Sequence, residues 1–360
     1  MRLTRKKTDA VAGLDIEAGS IAAAEVHVNG SAQVTASAIE PLPAGVFGEG
    51  EVADADGLAE ALKSLFSKHK LSKRVRLGVG NQRVVVRTLR LPAIEDPKEL
   101  DAAVRFQAQE EMPMPLDQAV LEHQVVGGVP AEEGSQPQID VVVVAARRDM
   151  VASFLDPIRR AGLQPVGIDL SAFGMIRALA GVDVDEPAGN GAQGQPTGAV
   201  LYCSLGDVTN LAVARGRACL FTRVSHVGLE TIAGRFAGAH GLSLEHADQW
   251  LAHVGLERAP EEIEGDPEIV AEARGALEEG VSGLIDELRL SLDYYGAQEG
   301  ALRVERVVLC GPGSAIPGLG GRLEAALGLA VAPVRPPGLS AFDERAAARL
   351  TLPYGLALEH

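Results

Sequence analysis

From residue 13 the chain runs in short apolar bursts: GLDI (13–16), SIAAAEVHV (20–28) and SAQVTASAI (31–39). They predict three consecutive strands. The second and third meet at Asn29-Gly30, a pair suited to a tight hairpin turn. The period then changes. In DGLAEALKSLFSKH, Leu58, Ala61, Leu62, Leu65 and Phe66 recur at helical spacing. RVRLGVG (74–80) returns to strand.

A new unit is expected at NQRVVVRTLRLP (81–92). Asp96, Pro97 and Glu99 form a strong helix start: a cap, a first-turn proline and a residue able to close a capping box. Leu100, Ala103, Val104 and Ala108 make the buried stripe. Pro113 and Pro115 end the helix. Strands follow around 120–126 and 138–146, separated by the polar GGVPAEEGSQP. The order strand–helix–strand–strand over 82–146 reads as a compact α+β insert.

A helix over 148–160 stops at Gly162. A strand (163–170) and the helix SAFGMIRALAG follow. The Gly/Pro/acid-rich stretch 181–198 reads as a linker. The second half then repeats the opening: AVLYCSLG, TNLAVARG and ACLFTRVSHV predict another three-strand meander, followed by helices. The longest helix, near 266–297, carries Val270, Ala273, Leu277, Val281, Leu284, Leu288, Leu292 and Tyr295 at spacings of three and four. Gly275, Gly280 and Gly283 argue against a zipper, so the stripe is expected to pack on its own domain. RVERVVLCG (303–311) is a strand leading into a Gly-rich turn and a helix. Such duplication predicts two similar lobes with a cleft between them.

Composition narrows this picture. Aromatics make up only 4% of the 360 residues, so Ala, Val and Leu must build the core. The net charge of −16 argues against general nucleic-acid binding. Cys203, Cys219 and Cys310 lie in apolar strands without a CxxC pair and read as buried thiols of a reducing compartment. No segment approaches the ~18 apolar residues of a membrane span. Arg2, Arg5, Lys6 and Lys7 make the N-terminus basic, a solvated tail or a lipid-headgroup contact. The eight histidines show no zinc spacing, and neither a P-loop nor a nucleophile elbow is present.

Several stretches, in this order, carry a resemblance. They are GLDI with Ser20 downstream; RVVVRTLRLPAIEDPKELDAAVRFQAQEEMPMPLDQAVLEHQVV (83–126); VVVVAARRDMV (141–151); and AGLQPVGIDLSAFGMIRAL (161–179). LGDVTNLAV with FTRVSHVGLETIA (205–233) and LCGPGSAIPGLGGRLEAALGL (309–329) complete the set. Together they resemble PilM, the actin-like family of type IV pilus assembly, related to FtsA. The chain ends TLPYGLALEH, without the membrane-binding amphipathic helix usual in FtsA, which favours PilM.

The resemblance implies an α/β actin-like ATPase fold with two duplicated lobes, a cleft and an FtsA-like insert in the first lobe. It places the first lobe at 1–81 and 147–182, the insert at 82–146 and a linker at 183–198. The second lobe takes 199–350, with a helical part at 234–300, and 351–360 returns to the first lobe. The implied work is that of a cytoplasmic scaffold at the inner face of the membrane. It would bind the N-terminal cytoplasmic peptide of PilN in a groove between insert and first lobe, and so link the motor side to the membrane-embedded complex. The alternative is an active Mg-ATPase whose turnover or polymerisation drives assembly.

For ATP and Mg²⁺, the resemblance points to Gly13, Asp15, Ser20, Gly206, Asp207, Thr209, Asn210, Gly228, Gly311, Gly313 and Ser314, with Asp15 at the metal. Departures stand beside these matches. Glu17 replaces a usual glycine, Ala22 a frequent lysine and Ser204 an aspartate, and Pro312 interrupts the glycine run. A carboxylate at 17 repels polyphosphate, so nucleotide occupancy stays open and efficient turnover is disfavoured. Asp169 is the one acidic candidate for a water-orienting base; its other reading is a cap for the helix at Ser171. For the partner groove the segment 110–120 offers Met112, Met114 and Leu116, adaptable apolar groups beside rigid prolines, or else insert core.

Overall fold

The computed structural model describes residues 10–129, 136–182, 198–298 and 300–358. The basic stretch 2–7, most of the expected linker and the last two residues lie outside them. The first lobe begins with β1 (Ala12–Ile16), β2 (Ser20–Asn29) and β3 (Ser31–Pro41), an antiparallel meander. It turns at Gly30, whose φ of 77° suits the glycine of the Asn-Gly pair. A two-residue ribbon, β4 (Phe47–Gly48) with β5 (Glu51–Val52), precedes α1 (Ala55–His69). The buried face of α1 is Leu58, Ala59, Leu62, Leu65 and Phe66, with Ala59 deeper than the expected Ala61. Then β6 (Arg74–Val79) pairs parallel to β1.

The insert is β7 (Val84–Pro92), α2 (Pro97–Glu111), β8 (Ala119–Val129) and β9 (Gln138–Arg147). Its sheet is antiparallel with β9 in the middle. Asp96 caps α2 as expected, accepting from the Lys98 and Glu99 backbone N–H groups at 2.8 and 3.0 Å. Val141, Val143 and Ala145 point from β9 into a small core with Val104 and Ala108 of α2. The chain then rejoins the first lobe through α3 (Arg148–Arg160), β10 (Gln164–Leu170) and α4 (Ser171–Leu179).

The second lobe opens with β11 (Ala199–Leu205), β12 (Thr209–Arg215) and β13 (Ala218–Ser225). Its helices are α5 (Leu229–His240), α6 (Leu244–Val254) and α7 (Pro267–Gly296). They are followed by β14 (Val304–Cys310), α8 (Leu319–Leu327), β15 (Ala330–Pro333) and α9 (Glu344–Ala357). The stripe on α7 packs within this lobe, against α5, α6 and α8, so no zipper is formed. At Gly280 an added Cβ would lie 2.3 Å from Ile232.

The duplication is explicit in the sheets. The first has the order β10-β6-β1-β2-β3 and the second β13-β12-β11-β14-β15. In each, a meander is extended by two parallel strands beside its first strand. Outer helices cover each sheet. Between the sheets lie α4 and α9, in a shared core with Ala22, Ala24, Tyr202, Ala212 and Cys310. The division expected at 350/351 falls inside α9, which is one continuous helix packed on β1, β2 and α4. This packing needs Gly13, where an added Cβ would sit 2.0 Å from the Pro353 carbonyl oxygen. It also needs Gly355, where the same atom would sit 1.8 Å from the Gly174 carbonyl oxygen.

Candidate functional site

Two places where the elements meet invite chemistry: the cleft between the lobes, and the groove between the insert and the first lobe. In the cleft, the turns joining β1 to β2 and β11 to β12 face one another. Asp15, on a strand buried along its length, holds its carboxylate against the guanidinium of Arg349. Arg349 projects from α9 and is 6% exposed. Its Nε donates to Ser20 Oγ at 2.8 Å, and its Nη2 donates to the Asp15 and Ser20 carbonyls at 3.2 and 3.0 Å. Glu17 Oε2 lies 3.3 Å from the same guanidinium. The Ala18 N–H of this turn donates to the Asp207 carboxylate of the opposite turn.

The electrostatics follow from crowding. Burial pushes the Glu17 carboxyl up to about 7; Arg349 opposes this, and Asp15 and Asp248 reinforce it. Burial, then the charges of Glu17 and Glu230, push Asp207 well above the carboxylate range. On α6, burial pushes Asp248 to about 7 against the pull of Arg345, and its Oδ1 has no hydrogen-bond partner. Burial and crowding thus raise three carboxyls, those of Glu17, Asp207 and Asp248, above the ordinary carboxylate range.

The expected nucleotide residues are spent on protein contacts. A Cβ at Gly206 would lie 2.1 Å from Glu17 Oε1, and one at Gly228 2.1 Å from the Asp207 carbonyl oxygen. At Gly311, with φ 77°, it would meet Ser204 Oγ at 2.7 Å, and at Gly313 it would meet the Leu205 side chain at 2.4 Å. The Thr209 hydroxyl donates to the Val227 carbonyl, and the Ser314 hydroxyl to Gly311 at 2.7 Å. Asn210 leans on Gly80, where an added Cβ would lie 2.4 Å from its Oδ1. The space left among Asp15, Glu17, Asp207 and Asn210 is about 30 Å³. That is room for ordered water only.

A larger interlobe cavity of about 630 Å³ lies beyond the first turn. It is walled by the β4–β5 ribbon, Asn81, Arg83, His226 and Glu230, and reaches the first turn through Ala18. Its carboxylates Glu49, Glu51 and Glu230 repel polyphosphate. The residues present therefore do not fit a magnesium nucleotide in this arrangement. The expected metal residue, Asp15, is committed to Arg349. Among the described residues no group of three or more His, Cys, Asp or Glu side chains is arranged to hold a metal ion.

Asp169 stands elsewhere. It pairs with Arg177 of α4, and its Oδ1 accepts from the Leu170 N–H at 2.8 Å. The first turn of α4 has no side-chain cap hydrogen bond, so the expected capping role of Asp169 is not seen. It lines two adjoining cavities, of about 520 and 470 Å³, between insert and first lobe, the larger also walled by Arg217, Ala218 and Cys219 of the second lobe. Their walls are the second face of the insert sheet, with Val120 and Glu122 of β8 and Val142 and Val144 of β9, against Ile168 and Phe173. Arg177 and Arg217 stand at one end. Met112 is not there: it is 7% exposed and part of the core under α2, and Met114 and Leu116 pack against that core. The end of α2 turns these side chains to the far face of the sheet.

The sequence held a signal for these cavities. VVVVAA does not alternate, and a strand apolar on both faces must be covered on both. One cover is α2; the other side is the groove. Arg349 carried no local signal, because its partners lie 329 and 334 residues away.

Comparisons with known proteins agree with this architecture. A family model described as type IV pilus assembly protein PilM matches residues 13–351. A solved PilM-PilN type IV pilus biogenesis complex contains a chain 26% identical, with a TM-score of 0.77, covering 96% of this chain and 97% of that one. The ethanolamine utilization protein EutJ from Carboxydothermus hydrogenoformans is 14% identical, with a TM-score of 0.52 over 96% of this chain and 88% of that one. MreB5 of Spiroplasma citri, solved bound to ADP, is 12% identical, with a TM-score of 0.51 over 97% and 95%. These last two share the fold, and the fold is thus one that holds nucleotide in a solved protein. No helix among the described residues is long and apolar enough to cross a membrane.

Proposed function

Since the chain belongs to the type IV pilus assembly protein PilM family, we propose that it is an actin-like scaffold of pilus assembly whose insert groove takes the N-terminal cytoplasmic segment of a PilN-type protein. The observation that carries the reading is the pair of adjoining cavities between insert and first lobe, in a chain whose fold matches that of a PilM-PilN complex. The groove has the build of a peptide site. It has an apolar floor (Val120, Val144, Ile168, Phe173), a charged end (Arg177, Arg217) and, in β8, a sheet edge that no further strand covers among the described residues. An extended segment can add backbone hydrogen bonds along such an edge while alternate side chains enter the groove.

On this reading the protein works at the inner face of the cytoplasmic membrane, held there through its partner. Its task is to bind and position. Mg-ATP would enter the cleft only if Arg349 left Asp15 and Asp207 released the Ala18 N–H, so turnover is not the basis of the reading. The test is titration of a synthetic PilN N-terminal peptide. Phe173→Ala removes floor area and is expected to weaken binding roughly tenfold. Phe106→Ala, on the exposed side of α2, is expected to leave it unchanged. Equal affinity for wild type and Phe173→Ala, with the fold intact by circular dichroism, would remove the groove from the proposal.

A further inference from the structure

We infer that the interlobe cleft of this chain is a self-filled ionic latch: Arg349 stands where a cation would, the Asp207 carboxylate stands where a phosphate would, and the lobes close on each other without nucleotide. The inference goes beyond the scaffold reading and stands independently of it.

Three observations converge. The first concerns the anion. In a hairpin turn the backbone N–H is the group that greets a phosphate; here the Ala18 N–H is already taken by a carboxylate from the opposite lobe. The second concerns the cation. Ala22 is fully buried against the shared core and offers no charge. The positive charge arrives instead from α9, where Arg349 binds a carboxylate, a hydroxyl and two carbonyls of the first hairpin. The third concerns space. Glu17 fills the surface of Gly206, Ser204 and Leu205 fill those of Gly311 and Gly313, and about 30 Å³ remains at the centre.

The latch joins every element around it. Asp15 and Glu17 come from the first hairpin, Asp207 from the second, Glu230 from α5, Asp248 from α6, and Arg345 and Arg349 from α9. A second tie lies alongside, where the Glu49 N–H of the β4–β5 ribbon donates to Glu230 at 3.0 Å. Both link the lobes through side chains that a bound polyphosphate would have to displace.

The experiment uses the full chain and Mg-ATP as the probe. A thermal melt at millimolar Mg-ATP is expected to show no shift, and equilibrium dialysis with labelled ATP no saturable binding. A rise of several degrees, or saturable sub-millimolar binding, would overturn the inference. Hydrogen–deuterium exchange reads the latch itself. The Ala18 amide is expected to be protected without nucleotide and to exchange roughly tenfold or more faster in Asp207→Ala. Asp207→Asn, which keeps an acceptor oxygen, is expected to retain most of the protection. Rapid exchange at Ala18 in the wild type, or no change in Asp207→Ala, would equally overturn it.

Discussion

Arg349→Met tests the physics of the cleft most directly. Methionine keeps an unbranched apolar stem and removes the guanidinium. The loss leaves the Asp15 carboxylate and the Ser20 hydroxyl without the guanidinium, and takes its bonds from two backbone carbonyls, of which that of Ser20 keeps the Glu17 N–H, in a site where Asp15 and Arg349 side chains are each 7% exposed. Single hydrogen bonds to charged groups contribute about 1.5–3 kcal/mol each, but they do not add here, because the carboxylates can take up protons once the cation is gone. Removing one partner of a buried ion pair costs about 3–5 kcal/mol, and we expect that range at pH 8. At pH 5.5 the loss should be smaller by roughly 1–2 kcal/mol. Arg349 is what holds the Glu17 and Asp207 carboxyls down. Without it both rise further, and acid then neutralises them at little cost. The assay is urea unfolding followed by circular dichroism, wild type against variant, at both pH values. A loss below about 1 kcal/mol at pH 8, or an equal loss at both, would refute the argument.

Two further outcomes are expected. Burial pushes the Asp248 carboxyl up to about 7 from an ordinary 3.8, so its proton stabilises the native state at low pH, and that stability is lost as pH rises from about 4 to 7. Asp248→Asn should therefore raise the melting temperature at pH 8, leave it nearly unchanged at pH 4, and flatten the pH profile between them. The upper limit is about 4 kcal/mol, from ~3 pKa units at 1.36 kcal/mol each. Gly13→Ala would drive a methyl into the Pro353 carbonyl of α9, and should destabilise by roughly 1–3 kcal/mol or more, seen as a lower urea midpoint at every pH.

Much of the fold was legible because its signals are local. Asn29-Gly30 made its turn, Asp96-Pro97 began α2, and the α7 stripe packed where its glycines implied. The resemblance to the pilus family rested on the order of such segments. The site was legible only in part. Glu17 and Ala22 stood out as departures, but the sequence could not show what replaced the missing cation, since Arg349 lies more than 300 residues along the chain. Gly13 looked like a phosphate glycine and is needed for the close approach of α9. Met112 was an apolar residue beside prolines, and nothing in that local pattern fixes which face of the sheet it meets. Its placement in the insert core follows from how α2 ends over β9. Asp169 was read as a water-orienting base or a cap for the helix at Ser171, whereas its charge is matched to Arg177 of α4.

The position of α9 also sets a timetable for synthesis. The pair Asp15–Arg349 spans 334 residues. At ~5–20 residues per second, the ribosome releases Arg349 roughly 17–67 s after Asp15. Throughout that interval the inward face of the first sheet, with Ala22 and Ala24, lacks the helix that covers it. The oldest strands of the nascent chain thus wait for nearly the newest helix. A half-made protein presents an open apolar sheet, to be shielded by chaperones or lost to aggregation, and both lobes become complete in one late docking event.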